Sequence, residues 1–153
     1  MLKIIPFDKT HSRAFKELNI AWLEKYFYVE PKDEFLLGNG QANIIDKGGH
    51  IFMAIDDAKI VGCFALLKNG NTCYELGKMA VADDAQGKQI GQKMLIYAID
   101  FAKIQNMEAI ELYSSTKLPA ALHIYKKYGF VQIELEKDLP YKRSDIKMKL
   151  KLK

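Results

Sequence analysis

Two cysteines, three histidines and one tryptophan are all that the chain holds of these residues. So few cysteines exclude a disulfide-built scaffold, and no Cys or His cluster has ligand spacing, so there is no zinc pattern and no metal is expected. His11, His50 and His123 are scattered and are assigned no chemistry. Long apolar runs are missing too, and none approaches the roughly twenty residues that cross a bilayer. The opening MLKIIPFD is broken by Pro6 and Asp8 too soon for a signal peptide, so a cytoplasmic protein with no membrane partner is expected. Internal repeats, low-complexity tracts and linkers are also absent. One domain over residues 1–153 follows, large enough to bury about two thirds of its unfolded surface. Neither charge sign dominates: 23 basic against 19 acidic residues leave +4, which favours an anionic ligand without implying a nucleic-acid binder.

What is present is periodicity. Phe15, Leu18, Trp22, Leu23 and Tyr26 recur at three- and four-residue steps, predicting a helix from near Thr10. A second helix follows Pro31, with Asp33 and Glu34 in its first turn, where the helix dipole favours acids. Residues 50–55, 59–67 and 72–82 then read as strands. A two-residue Asn69-Gly70 turn would set Lys68 opposite Asn71. In that register Cys63 faces Leu76, Cys73 faces Leu66, and the thiols lie on opposite faces of the sheet, which excludes a disulfide. Gly62 would face Gly77, leaving a bare patch on the face that carries Glu75. Gly91, Met94, Leu95, Ala98, Phe101, Ala102 and Gln105 trace the next helix. Strands over 109–113 and 130–136 bracket a helix over 119–128, with Pro119 at its start and Gly129 past its end. The closing KMKLKLK alternates with period two, the pattern of a half-buried strand whose lysine face protects a sheet edge. The resulting order, β-α-α-β-β-β-α-β-α-β-β, belongs to one mixed α/β layer structure.

The stretch QGKQIG, residues 86–91, interrupts this pattern where a strand should hand over to a helix. Gly91 falls inside that helix, at a cost of about 1 kcal/mol relative to alanine. A strand end, a glycine turn and a helix start point several free N–H groups outward together, which suits phosphate oxygens. Gly87 lets the chain bend, Gly91 admits a close approach, and Lys88 adds charge at the rim. An ordinary capped turn is the alternative reading. Neither a Walker loop nor a Rossmann fingerprint is present.

KMAVADDAQGKQIGQKML, followed about thirty residues later by ALHIYKKYGF, resembles the GNAT superfamily of acyl-CoA-dependent N-acyltransferases. The resemblance covers roughly residues 50–132, and the element order agrees across the whole chain. It implies a mixed, mostly antiparallel central sheet flanked by helices, and acetyl-CoA as co-substrate. It places the pyrophosphate on the main chain of Gln86, Gly87, Lys88, Gln89, Ile90, Gly91 and Gln92, and the pantetheine arm along Met79, Ala80 and Val81. Gln89 stands where the family usually has glycine, and Ser115 where it often has asparagine.

Acyl transfer to an amine needs a neutral nucleophile, a partner for the tetrahedral oxyanion and a proton donor for the departing thiolate. Deprotonating a lysine-like amine at pH 7 costs about 4.6 kcal/mol, so a base is useful. Glu75 is the candidate, both from its place on the strand and because many relatives carry a glutamate there; an exposed carboxylate paired with a lysine is the alternative. Tyr125 is the candidate acid, against a plain core aromatic. The oxyanion would meet a main-chain N–H near Met79. Trp22, Tyr26, Phe27, Tyr28, Glu30, Asp33 and Glu34 cluster in the region that shapes the acceptor pocket in such enzymes, although a solvated acidic face beside an aromatic stripe has the same pattern. Tyr141 and Arg143 are further acceptor candidates, suited to a substrate carboxylate. The expected acceptor is the primary amine of a small metabolite, amino acid or peptide, not a nucleic acid, and a homodimer is left open. A coenzyme A-binding sensor without turnover is the runner-up, and a basic interaction domain the third reading.

Overall fold

The computed structural model describes residues 1–153. Its elements follow the expected order: β1 (Leu2–Pro6), α1 (Ser12–Tyr26), α2 (Pro31–Gly38), β2 (His50–Asp56), β3 (Lys59–Asn69), β4 (Cys73–Val81), α3 (Ile90–Ile104), β5 (Ala109–Ser114), α4 (Pro119–Lys127), β6 (Val131–Ile133) and β7 (Ile146–Lys151). The strands form one sheet in the order β1-β2-β3-β4-β5-β7-β6. Every neighbouring pair is antiparallel except β4 and β5, which run parallel. No helix is long and apolar enough to cross a membrane.

Alternation along the central strands supplies two cores. Phe52, Ala54, Phe64 and Leu66 join Met94, Leu95 and Ala98 of α3 on one face. Ile51, Met53, Cys63 and Ala65 join Phe15 and Leu23 of α1 and Leu36 and Leu37 of α2 on the other. Strands covered on both sides read as near-continuous apolar runs, which is why β2 and β3 look as they do. Full burial of a side chain such as Leu95 or Met53 stabilises the fold by about 1.5–3 kcal/mol. The helix starts are chemically marked: Pro31 and Pro119 occupy first turns, and the Glu30 and Asp33 side chains each accept from the other's end of the α2 cap.

The β3–β4 register departs from the sequence reading. Asn69 faces Cys73, so the loop spans 70–72, with Gly70 alone left-handed at φ 70°. Leu66 faces Leu76, Ala65 faces Gly77, and Gly62 faces Val81, so the facing-glycine patch does not exist. A longer loop with one positive-φ glycine is the other common hairpin solution for this composition. Cys63 and Cys73 then share a face. They are free, and six residues of β3 separate Cys63 from the partner of Cys73, roughly 20 Å, so distance and not opposed faces prevents a bridge.

The lysine-alternating β7 is not an edge either. It lies between β5 and β6, where Lys147 meets the carboxylates of Glu111 at 3.1 Å and Glu136 at 3.3 Å. Lys147 thus answers one acid on β5 and one on the chain that follows β6. The edge belongs to β6, which pairs only over Val131–Ile133 and not over the whole of 130–136.

Candidate active site

The parallel pairing of β4 with β5 runs from Cys73 opposite Ala109 to Leu76 opposite Leu112 and stops. Just beyond, β4 holds an irregularity: Ala65 faces Gly77 but Cys63 faces Ala80, so Phe64 alone opposes Lys78 and Met79. This is a β-bulge, and Lys78 sits in it at φ 52°. With the ladder ended on one side and bulged on the other, the strands part. A cavity of about 520 Å³ fills the split, lined by Glu75, Met79 and Val81 of β4, Tyr113 and Ser115 after the split, and Trp22 and Tyr125 from helices on opposite faces. The sheet is therefore open from one face to the other.

At one end lies the turn 86–91. Gly87 has φ 82° and Gln89 φ 58°, so the fourth position of the motif is left-handed, the conformation that explains a usual preference for glycine there. Gln89 has no side-chain cap bond. The N–H groups of Gln89, Ile90, Gly91 and Gln92 find no acceptor within the protein, as expected of an uncapped helix start. A Cβ added at Gly91 would meet nothing within 4 Å. The glycine faces open space, not the sheet. Gln86 ties the turn to β4, its Nε2 donating to the Val81 carbonyl at 3.2 Å. Of the predicted cradle residues, Gln86 and Gly91 line the cavity, while Gly87, Lys88 and Gln89 are exposed at its rim. The Ile90 side chain is buried in the α3 core, so that residue offers only its amide. Gln92 accepts from Lys127 at 3.4 Å.

Tyr125 lines the cavity, with its ring 5.8 Å from that of Phe130. Its hydroxyl makes no hydrogen bond within the protein, and burial pushes the phenol up to about 12. Ser115 also lines the cavity and is buried, its Oγ accepting from the Lys117 amide at 3.1 Å. Glu75 is 9% exposed, and its carboxylate has neither a hydrogen bond nor an ion pair. Burial raises its pKa, against the pull of Lys32, Lys78 and Lys147. An exposed carboxylate paired with lysine is therefore not what Glu75 is.

The remaining end divides the acceptor candidates. Trp22, Tyr26 and Phe27 line the cavity as an aromatic group, with ring centroids 5.4 Å and 5.7 Å from Trp22. Tyr141 and Arg143 also reach the cavity. Glu30 does not. Its Oε1 accepts from the Lys142 amide at 2.7 Å and its Oε2 from Arg143 at 2.9 Å, so it braces the 141–144 turn instead of meeting a substrate. Arg143 spends its terminal nitrogens on Glu30 and Asp33, which corrects the picture of a free guanidinium awaiting a carboxylate.

Sequence reasoning missed the residue at the middle of this cluster. Lys78 is buried, its Nζ paired with Asp33 and 4.5 Å from the centre of the Tyr141 ring. The available signal was a lysine next to the apolar stretch Met79-Ala80-Val81 at the end of β4. Asp33 itself was legible as the acid of the α2 first turn but not as the partner of a residue 45 positions away.

The split strand pair, with unpaired amides at its mouth and an unpartnered carboxyl and phenol inside, belongs to an acyltransferase type of fold. The chain belongs to the GNAT acetyltransferase family: residues 47–132 match the family model described as an acetyltransferase (GNAT) domain. It is 28% identical over 101 residues to the uncharacterized N-acetyltransferase YvbK of Bacillus subtilis, covering 64% of this chain and 65% of that one. It is 27% identical over 96 residues to the aminoalkylphosphonate N-acetyltransferase of Salmonella typhimurium, covering 60% and 62%. The matches thus span less than two thirds of either curated relative. Among solved structures, a GNAT-family acetyltransferase of Staphylococcus aureus superposes with a TM-score of 0.88 at 25% identity over 100% of both chains. The spermidine N-acetyltransferase of Vibrio cholerae, solved with CoA and spermine, shares the fold with a TM-score of 0.76 at 21% identity, covering 98% of this chain and 95% of that one.

Proposed function

We propose that this chain transfers an acetyl group from acetyl-CoA to the primary amine of a small metabolite, amino acid or peptide by direct attack on the thioester. The observation that carries the reading is the cavity through the β4–β5 split, whose lining includes Glu75 with its unpartnered carboxyl, Tyr125 and, at its mouth, Gly91 with its free amide. The residues present suit the co-substrate. Four successive unpaired amides and a helix start favour diphosphate oxygens, and the open space at Gly91 admits them.

The residues then divide the work. Glu75, whose pKa burial raises, takes the proton that an ammonium acceptor must lose, directly or through a water. The main chain at the β4 bulge supplies an amide to the oxygen that gains charge as the new C–N bond forms. When the C–S bond breaks, Tyr125 donates a hydrogen bond to the sulfur that keeps the electron pair. With the phenol near 12 and an ordinary thiol near about 8.5, complete transfer from Tyr125 would run uphill. The thiol's proton therefore comes from the amine nitrogen, and Tyr125 steadies the thiolate. Trp22, Tyr26 and Phe27 hold the acceptor's carbon frame.

The test is thiol release from acetyl-CoA over a panel of alkylamines, diamines, amino acids, aminoalkylphosphonates and short peptides, beside thermal stabilisation by coenzyme A alone. Turnover of at least one amine is expected. Stabilisation without turnover on any of them would support a binding module in place of an enzyme; no stabilisation would remove the cofactor site.

A further inference from the structure

Lys78 is a non-glycine residue held at φ 52° in the wall of the cavity. Such a conformation persists only where the surroundings over-determine it, and here they do so at both ends of the residue. Its carbonyl accepts from the Cys63 thiol at 3.6 Å, and that sulfur is met by Asn19 of α1 at 3.3 Å. Its side chain crosses to Asp33 of α2, which is completely buried. Asp33 is itself immobilised: Arg143 donates to both of its oxygens, at 2.6 Å and 3.0 Å, and the Glu30 amide donates at 2.9 Å. Glu30 closes the circle by accepting from Arg143 and from the turn that carries it. Two acids and two bases balance in charge, so the cluster offers no net attraction to a ligand. What it does is join α2, the 141–144 turn and the β4 bulge at one point.

We propose that Asp33 is a positioning residue for acyl transfer: through Lys78 it locks the left-handed bulge of β4, and so fixes the direction of the main-chain donor that meets the developing oxyanion. This rests on the acyl-transfer reading given above. Without the ion pair, a lysine at position 78 relaxes toward an ordinary strand conformation, the extra residue of the bulge shifts, and the amide turns away from the thioester. The diphosphate contacts at the 86–91 turn share no residue with the cluster, whereas the pantetheine strand at Met79, Ala80 and Val81 follows directly on Lys78 and shifts with the bulge. The lock also explains why a lysine is tolerated where glycine would suit the backbone: its charge supplies what its Cβ opposes.

The experiment compares Lys78→Gly with Lys78→Met, and repeats Asp33→Asn in the wild-type and Lys78→Gly backgrounds. Glycine adopts φ 52° without a lock; methionine fills the space of lysine and cannot pair. Lys78→Met and Asp33→Asn are expected to lower kcat about tenfold or more, while Lys78→Gly, whose backbone takes φ 52° without the pair, loses several-fold less turnover than Lys78→Met. Asp33→Asn added to Lys78→Gly should then cost little further turnover, the non-additivity that marks one shared pathway. A merely structural cluster would lower the melting temperature of every variant and leave this order of kcat values absent. Should Asp33→Asn fail to fold, the two Lys78 variants, which keep the Asp33–Arg143 pair, still decide the matter. Amide hydrogen exchange at Lys78 and Met79 reads the lock without turnover: it should quicken in Lys78→Met, and no change there would overturn the proposal. Wild-type protein that binds coenzyme A but turns over no amine would sink the acyl-transfer reading instead. Active enzyme whose kcat is equal in Lys78→Met and wild type would sink this inference alone.

Discussion

Arg143 grips Asp33 with both ends of its guanidinium, Nη1 on Oδ2 at 2.6 Å and Nη2 on Oδ1 at 3.0 Å. Removing one partner of a buried pair leaves an uncompensated charge, at a cost of about 3–5 kcal/mol. Arg143→Ala is therefore expected to shift the urea midpoint strongly, whatever it does to turnover. Burial works to raise the Asp33 pKa, yet Arg143 and Lys78 hold it below the ordinary value. Its stabilisation is thus present above the unfolded carboxylate pKa of about 3.9 and is lost as pH falls through the lower folded one. Asp33→Asn should flatten the acid limb of stability against pH, measured by urea titration between pH 7 and 3. An Arg143→Ala protein as stable as wild type would show that the grip contributes nothing.

Glu75 carries the opposite sign. Burial raises its folded pKa, so the folded state prefers the neutral acid. Its favourable contribution is complete below the unfolded value of about 4.3 and is lost as pH rises through the raised folded one. Glu75→Gln should melt higher than wild type at pH 8 and level with it near pH 4, a stability gain where the base is removed. Turnover should move the other way. For wild type, kcat/KM should fall toward acid with a midpoint above the usual carboxylate range, and Glu75→Gln should lose both that midpoint and about tenfold or more of the neutral-pH rate. A midpoint that survives the substitution belongs to another group.

How much of this was readable beforehand depends on the distance over which each feature is decided. The helices and strands were legible because their period is local, and so was the turn 86–91, since a strand end, two glycines and a helix start lie within a few residues. The register of β3 against β4 was not. Asn69-Gly70 is compatible with two loop lengths, and the choice of the longer one moved Gly62 away from Gly77. The bulge at Lys78 was equally hidden, because its conformation is held by Asp33 and Arg143 from distant segments. Glu75 and Tyr125 were named as candidates from the strand and the motif, and both line the cavity, although the Gly62/Gly77 patch invoked for Glu75 does not exist; that Glu30 and Arg143 would satisfy each other could not be found from either one alone.

Tyr125 tests the division between hydrogen bonding and proton transfer. With its phenol near 12, no alkaline loss of rate should be traceable to it below about pH 11. Tyr125→Phe should lower kcat about tenfold or more, with coenzyme A affinity little changed. A steadied thiolate matters less when the thiol is more acidic. The penalty should therefore shrink for an acetyl thioester of a lower-pKa aryl thiol, compared under single-turnover conditions. An equal penalty for both thioesters would indicate that Tyr125 acts by packing alone.

Gly91 answers whether the 86–91 turn is a cradle or merely a bend. Nothing in the protein lies within 4 Å of a Cβ placed there, and the residue's φ is an ordinary helical one. Glycine is thus not needed by the fold. Gly91→Ala should stabilise the protein by about 0.5–1 kcal/mol through helix propensity. If the open space is where diphosphate oxygens sit, added side-chain volume should weaken coenzyme A: modestly for alanine, and by about tenfold or more for Gly91→Val, which has two methyl groups at the helix start. Calorimetric titration of coenzyme A with thermal melts of the free proteins separates the two effects. A Gly91→Val protein that folds and binds coenzyme A as tightly as wild type would leave the turn an ordinary bend, and the site would have to be sought elsewhere along the split.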